Sequence, residues 1–244
     1  MRKSELRILL LQIRANEQVR KEEHASFAAY SGLDVDQFQV LNVFDTQHFE
    51  GSVLDGYDGL FIGGASEASV MEPERYLFVK SCIQLIQYCL ANDVPVFASC
   101  FGFQLAVLAL DGRIVRDQSD YEMGTPAISL TPASREDALF KDVPDGFRAV
   151  SVHKERTPKL PAGCVLLAET EACPHAFRVE GRQFWAFQFH PEVDRATLVE
   201  RLTYYKEHYT DDDAHLQAVL DSAQETPESN DLMRKFVDRV LLAN

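Results

Sequence analysis

The stretch "VPVFASCFGFQ" (residues 94–104) decides the fold. It runs mostly apolar residues into a serine and a cysteine, with a glycine two places beyond the thiol. Such a run, closed by small residues, reads as a buried strand that turns sharply into a helix. A residue at a strand-to-helix turn is exposed by the reversal of the backbone, and its neighbours must be small because the turn is crowded. Ala98, Ser99 and Gly102 meet that demand around Cys100.

The same alternation continues towards the N-terminus. Leu6 to Leu11 reads as a buried strand, "QVRKEEHASFAAYSG" as a helix closed by Gly32, and "FQVLNVF" as a second strand. "YDGLFIGG" is a third apolar run, ending in Gly63 and Gly64. "EPERYLFVKSCIQLIQYCLAND" then reads as a helix, with Pro73 in its first turn and Ile83, Ile86 and Leu90 on one face. Strands alternating with helices of this length predict an α/β fold with a doubly wound, mainly parallel sheet, whose ligands sit beyond the carboxyl ends of the strands. Gly63, Gly64 and Cys100 all fall at such ends.

The pattern changes after about residue 113. "PAISLT", "FRAVSVH", "CVLLAE" and "HAFRVEGRQFWAFQFH" are short strand-like runs that predict an added antiparallel segment, with a hairpin around Glu180 and Gly181. Beyond residue 195 the chain reads as helical: "LVERLTYYKEHY", "DDDAHLQAVLDSAQ", a break at "TPESN", and a last helix. Its Leu232, Phe236, Val237, Val240 and Leu241 form one apolar stripe. The expected organisation is a domain over residues 1–195 and a helical extension over 196–244, packed on that domain or on a second copy in a homodimer.

Composition narrows the function classes. The 244 residues are 46% apolar, enough for a packed core, and the formal net charge is −14. That field disfavours nucleic acid and anionic membrane surfaces. No segment reaches the roughly 18 apolar residues of a membrane span, and the interrupted start "MRKSELRILLLQIR" is no signal peptide. Five cysteines, Cys82, Cys89, Cys100, Cys164 and Cys173, contain no tight Cys-x-x-Cys pair, which argues against a disulfide framework and a structural zinc site. A soluble, cytoplasmic protein without cofactor or metal is expected, and the acidic run Asp211 to Asp213 reads as a helix N-terminus complementing the dipole.

A free thiol ordinarily titrates near 8.5 and is only a few per cent ionised at neutral pH. Helix-terminus stabilisation of about 0.3 to 1 kcal/mol does not change that enough, so a cationic partner is needed. His190, in "FWAFQFHPEVD", ends a strand-like run, and Pro191 biases it towards an extended conformation. Glu192, two residues on, can accept the imidazole N–H and fix its tautomer. Cys100, His190 and Glu192 then form a nucleophile, base and orienter triad, defined by space rather than sequence distance. The other cysteines read as core or context-free residues. His153 and His175 read as strand-end histidines bonded to backbone, and His24, His48, His208 and His215 as surface residues.

Taken together, "FIGGASEASV", "PVFASCFGFQLAV", "YEMG" and "FQFHPEV" resemble, in order and spacing, the motif series of class I, or triad, glutamine amidotransferases over roughly residues 6 to 195. The resemblance implies a flavodoxin-like sheet. It also implies that Cys100 attacks the γ-amide of glutamine to form a γ-glutamyl thioester, releasing ammonia and then glutamate. On the same basis His190 is the acid and base, Glu192 orients it, and the backbone N–H groups of Gly64 and Phe101 form the oxyanion hole. Gln104 matches the pocket glutamine. Gly63 belongs to the matching glycine pair, and Glu122, Met123 and Gly124 match the segment whose backbone meets the substrate's α-amino and α-carboxyl groups. Ala98, Phe103 and Ala65 depart from the family's usual glycine, histidine and proline. "SVHKERTPKLPAG" resembles a coupling segment in the glutaminase domain of guanylate synthetase, with Lys154 and Glu155 replacing Gly-Asp.

No synthetase half and no phosphate-binding Gly-rich loop accompany the module. The first expectation is a glutamine amidotransferase-like hydrolase that supplies a separate synthetase subunit or hydrolyses free glutamine. A γ-glutamyl peptide hydrolase with the same triad is the second, and a non-catalytic regulatory module with a vestigial site is the third. The chaperone and deglycase-like superfamily also places a cysteine at such a turn, but without the distant His-Pro-Glu.

Overall fold

In the computed structural model, residues 2–116, 121–204 and 213–243 are described. The first half lays down β1 (Ile8–Gln12), α1 (Glu17–Ser31), β2 (Phe38–Asn42), β3 (Gly59–Ile62), α2 (Phe78–Ala91), β4 (Val96–Ser99) and α3 (Phe101–Ala109). Two short strands, β5 (Val115–Arg116) and β6 (Glu122–Gly124), lead to β7 (Ala127–Leu130), β8 (Phe147–Arg148), β9 (Ser151–His153) and β10 (Glu155–Arg156). Then follow β11 (Cys164–Glu169), β12 (Pro174–Val179), β13 (Phe184–Phe187), α4 (Arg195–Tyr204), α5 (Asp213–Ser222) and α6 (Pro227–Phe236), which continues as a π-helical turn over Val237–Leu241.

Nine strands form one sheet in the order β2-β1-β3-β4-β13-β12-β11-β7-β8. The first five are mutually parallel, and from β13 onward each pairing is antiparallel. The parallel part has the flavodoxin-like order 2-1-3-4-5, with β13 in the fifth place. The β12–β13 turn contains Gly181 at φ +68°, so the hairpin forms where the glycine predicts it. β5 pairs with β10, and β6 with β9, as two small ribbons.

Side-chain alternation along the strands builds two cores, because successive residues face opposite sides of a sheet. Leu9, Leu11, Leu60, Ile62, Val96 and Ala98 face α2 and α3. Ile8, Leu10, Phe61, Phe97, Trp185 and Phe187 face α1 and α6. The stripe Leu232, Phe236, Val237, Val240 and Leu241 belongs to this second core, where Phe236 lies edge-on to Phe61 and Phe97 at centroid distances of 5.5 and 5.4 Å. It is therefore covered within the chain and is not a surface for a second copy.

Two boundaries differ from expectation. Pro73 does not begin a helix: residues 73–77 form turns and α2 starts at Phe78. "TPESN" is not a break either, since Thr226 is the N-cap and Pro227 the first residue of α6, the position where a missing N–H costs nothing. His208, Asp211 and Asp212 lie outside the described residues, as does the His215 side chain. Among the described residues, no helix is long and apolar enough to cross a membrane.

Candidate active site

Cys100 joins β4 to α3 at φ +47°, ψ −95°. A non-glycine residue with positive φ is strained and persists only where the surroundings enforce it. Here the Cys100 N–H donates to the Phe187 carbonyl at 2.7 Å, which ties the turn to the neighbouring β13. Gly102 is small of necessity, because a Cβ there would lie 2.9 Å from Cβ and Cγ2 of Ile62 and 3.1 Å from Cβ of Ala98.

β13 and the segment after it deliver the histidine. The His190 N–H donates to the Val150 carbonyl at 2.8 Å, and Nδ1 is 2.7 Å from Glu192 Oε1, both side chains being buried. The other ring nitrogen is left for Cys100, with which His190 shares a hydrogen bond. Burial works against the imidazolium, but the charges of Cys100 and Glu192 outweigh it and carry the His190 pKa up to about 10. Burial likewise opposes ionisation of Glu192, and the cation beside it still holds its carboxyl below the usual range. The structure thus brings Cys100, His190 and Glu192 together.

The loop after β3 closes the back of the site. Gly64 packs so tightly on the imidazole that a Cβ would lie 2.6 Å from His190 Cε1. Gly63 is held in the sheet by its N–H to the Leu11 carbonyl, and a Cβ there would press on Glu23 at 2.9 Å. Glu23 accepts from Arg14 Nε at 2.8 Å, and Arg14 Nη1 donates to Ser66 Oγ at 2.9 Å. This buried pair clamps the loop to α1, and sequence reading misses it because Arg14 looks like the polar end of a strand. Phe101 opens α3, where the first-turn N–H groups have no intrahelical acceptor.

A cavity of about 300 Å³ opens in front of Cys100. Phe101 and Gln104 line it with Ala65 and Ser66, and its mouth is polar, with Arg116, Tyr121, Lys154 and Glu155. Gln104 Nε2 donates to the Glu155 carbonyl at 3.0 Å. Glu155 itself is buried and accepts from Ser69 Oγ at 2.6 Å and from Arg116 at 2.5 Å. Gly63, Gly64, Glu122, Met123 and Gly124 are not among the described residues lining the cavity, although Tyr121 and Ala65 next to them are.

His153 and His175 are not bonded through their rings to backbone, as strand-end position suggests. Both turn to the Glu122 carboxylate: His175 Nε2 is 2.8 Å and His153 Nε2 3.3 Å from Oε2. Burial of Glu122 is outweighed by these two rings, which hold its carboxyl far below the usual range, and burial pushes the His153 pKa down. His24 is half-buried, edge-on to Phe38, and His48 is exposed.

The C-terminal helix also reaches the site. Asn230 Nδ2 donates to the carbonyls of Pro191 at 2.8 Å and Val193 at 3.0 Å, on either side of Glu192. Sequence pattern gives no sign of this buried clamp beyond an asparagine next to an apolar stripe.

Comparison with known proteins places this geometry in context. Residues 28–203 match the family model described as glutamine amidotransferase class-I. The glutamine-hydrolysing GMP synthase of Aliivibrio fischeri is 31% identical over 137 residues, 56% of this chain and 24% of the relative, so the chain spans about a quarter of that protein. A separate subunit of the glutamine-hydrolysing GMP synthase of Methanocaldococcus jannaschii is 32% identical over 115 residues, 47% of this chain and 57% of the relative. Among solved structures, a glutamine amidotransferase from Thermotoga maritima superposes with a TM-score of 0.78 at 20% identity, covering 97% of this chain and 98% of the other.

Proposed function

Because the chain belongs to the class I glutamine amidotransferase family, we propose that it hydrolyses the γ-amide of glutamine through Cys100, His190 and Glu192. The observation that carries this reading is the Cys100 turn. A positive-φ thiol faces a buried imidazole whose other nitrogen is held by Glu192 at 2.7 Å, and a cavity opens in front of it.

The Cys100 thiolate attacks the γ-carbonyl carbon. The sulfur–carbon bond forms as the π pair moves to oxygen, where the N–H groups of Gly64 and Phe101 stabilise the oxyanion. The oxyanion collapses, the carbon–nitrogen bond breaks, and the His190 imidazolium gives its proton to the departing nitrogen, releasing ammonia and a γ-glutamyl thioester. Neutral His190 then takes a proton from water, hydroxide adds to the thioester, and carbon–sulfur cleavage returns the thiolate and glutamate. Gln104 borders the substrate, and the Glu122–Gly124 segment meets its α-amino and α-carboxyl groups. Ammonia passes to a synthetase on a different chain, in line with the resemblance to the Methanocaldococcus jannaschii GMP synthase subunit. The site is read as that of residues 1–195, with 196–244 as an extension supporting it.

A second substrate has its own observation. Lys154 and Glu155 stand where the related coupling segment carries Gly-Asp, and both line this cavity instead of facing a partner. With Arg116 they make a charged mouth that can meet the terminal carboxylate of a γ-glutamyl peptide, a group that free glutamine does not extend there. Glutamate release from glutamine and from γ-glutamyl dipeptides, with Cys100→Ala as control, tests both. Release that persists in Cys100→Ala refutes the mechanism, and a dipeptide turned over faster than glutamine selects the second substrate.

A further inference from the structure

A second cluster of metal-binding residue types lies beside the site and takes no part in the chemistry above. Glu122, His153, Cys173 and His175 offer one ligand atom each, all within 4.8 Å of one another, and the three last are buried. The fold assembles them from two local rules. Glu122 and His153 are direct cross-strand partners in the β6–β9 ribbon, so their side chains stand together on one face. Cys173 and His175 are two residues apart at the start of β12, so they project to the same side.

The distances suit one small ion. Tetrahedral zinc, with bonds of about 2.0 to 2.1 Å to nitrogen and oxygen and about 2.3 Å to sulfur, sets ligand-to-ligand edges of about 3.3 to 3.6 Å. Glu122 Oε2 is 3.3 Å from His153 Nε2 and 3.6 Å from Cys173 Sγ. Its 2.8 Å contact with His175 Nε2 has to open by about 0.5 Å to reach that range, within reach of side-chain torsions. The protein's own hydrogen bonds also leave the cluster undersupplied: both nitrogens of His153 and Nδ1 of His175 are buried without an aligned partner. Such buried polar atoms are costly and call for an occupant.

We propose that Glu122, His153, Cys173 and His175 form a four-coordinate site for Zn²⁺. A thiolate, a carboxylate and two neutral imidazoles cancel the ion's double charge, which suits a buried position. His153 also lines the cavity in front of Cys100, which supplies an entry path. Cysteine spacing is silent on this site because it draws one cysteine, two histidines and a glutamate from separate strands. The ion would pin β6 to β9 and to the start of β12, fixing the strand that carries Glu122 to Gly124.

The test uses the full chain stripped of metal and dialysed against Zn²⁺, with zinc per chain measured by mass spectrometry and the melting temperature followed with and without zinc. Cys100→Ala excludes binding at the nucleophile, and Glu122→Gln keeps the shape of the cluster while removing its charge. One zinc per chain in the native protein and in Cys100→Ala is expected, with affinity weakened by at least about 100-fold in Cys173→Ser, His175→Gln and Glu122→Gln. Zinc should raise the melting temperature of the first two proteins only. Cobalt in place of zinc should give a thiolate charge-transfer band that Cys173→Ser removes. No stoichiometric zinc in the native chain, zinc retained by the cluster variants, or zinc lost in Cys100→Ala would overturn the proposal. None of these readouts depends on glutaminase activity.

Discussion

Gly64→Ala is the sharpest probe of the site, because its effect follows from the clearances around it. The new Cβ would lie 2.6 Å from His190 Cε1, 3.1 Å from Arg14 Nη2 and 3.3 Å from His190 Nδ1. The ring must retreat by about 0.8 Å to reach ordinary contact at about 3.4 Å. That retreat either stretches the 2.7 Å bond to Glu192 towards about 3.5 Å, beyond hydrogen-bond range, or tilts the other nitrogen away from Cys100. A misplacement of about 1 Å costs roughly 100-fold in rate, and overpacking costs about 1 to 3 kcal/mol in stability. We expect a fold that survives, with a melting temperature lower by roughly 2 to 4 °C for each kcal/mol, and kcat/KM for glutamine reduced about 100-fold. The rate at which a γ-glutamyl electrophile labels Cys100 should fall in parallel, which reads the thiol's environment without requiring turnover. Labelling and turnover within twofold of the native chain would refute the claim that Gly64 sets the position of His190.

Two further predictions concern the triad. His190 has its pKa raised from 6.5 to about 10, so the imidazolium, and the stabilisation it draws from its partners, is complete below 6.5 and lost as pH rises through about 10. The pH profile of kcat/KM should hold through neutrality and fall on an alkaline limb near 10, and Glu192→Gln should move that limb towards neutral pH; a native limb near 6.5 would sink this account. Asn230→Ala leaves the buried Pro191 and Val193 carbonyls without their donor, at about 1 to 3 kcal/mol. It should lower kcat more than it raises KM, with no rescue in Asn230→Asp, whose carboxylate cannot donate; a lower melting temperature with kcat unchanged would limit Asn230 to a structural role.

Legibility in the sequence follows the range over which each feature is determined. Cys100, Gly102 and the His190–Glu192 pair are readable because a turn and a two-residue spacing fix them locally. Arg14 with Glu23, Arg116 with Glu155, and Asn230 with the Pro191 and Val193 carbonyls are not, because each partner comes from a different element and only the tertiary arrangement joins them. The histidines show the difference most clearly. Strand-end position is a property of His153 alone, whereas its contact with Glu122 needs the β6–β9 pairing, and a one-residue change of register would place the two on opposite faces.

The C-terminal stripe lies between these cases, and here a stronger inference from sequence was available. The alternating strands of a doubly wound sheet need helices on both faces. Of the helices before residue 113, α2 and α3 pack on the face of Leu9 and Ile62, which leaves α1 alone over Ile8, Leu10, Phe61 and Phe97. Aromatic residues at the inward positions of β3, β4 and β13 make that face too large for one helix, so a second apolar helix must come from elsewhere in the chain or from another copy. The extension is the segment that carries such a stripe, and it fills the vacant position with Leu232, Phe236 and Val240. Docking there also brings Asn230, two residues before Leu232, against the carbonyls that flank Glu192. Coverage of the sheet and support of the triad are therefore one packing event, and a variant that loosens the stripe should loosen the His-Pro-Glu segment with it.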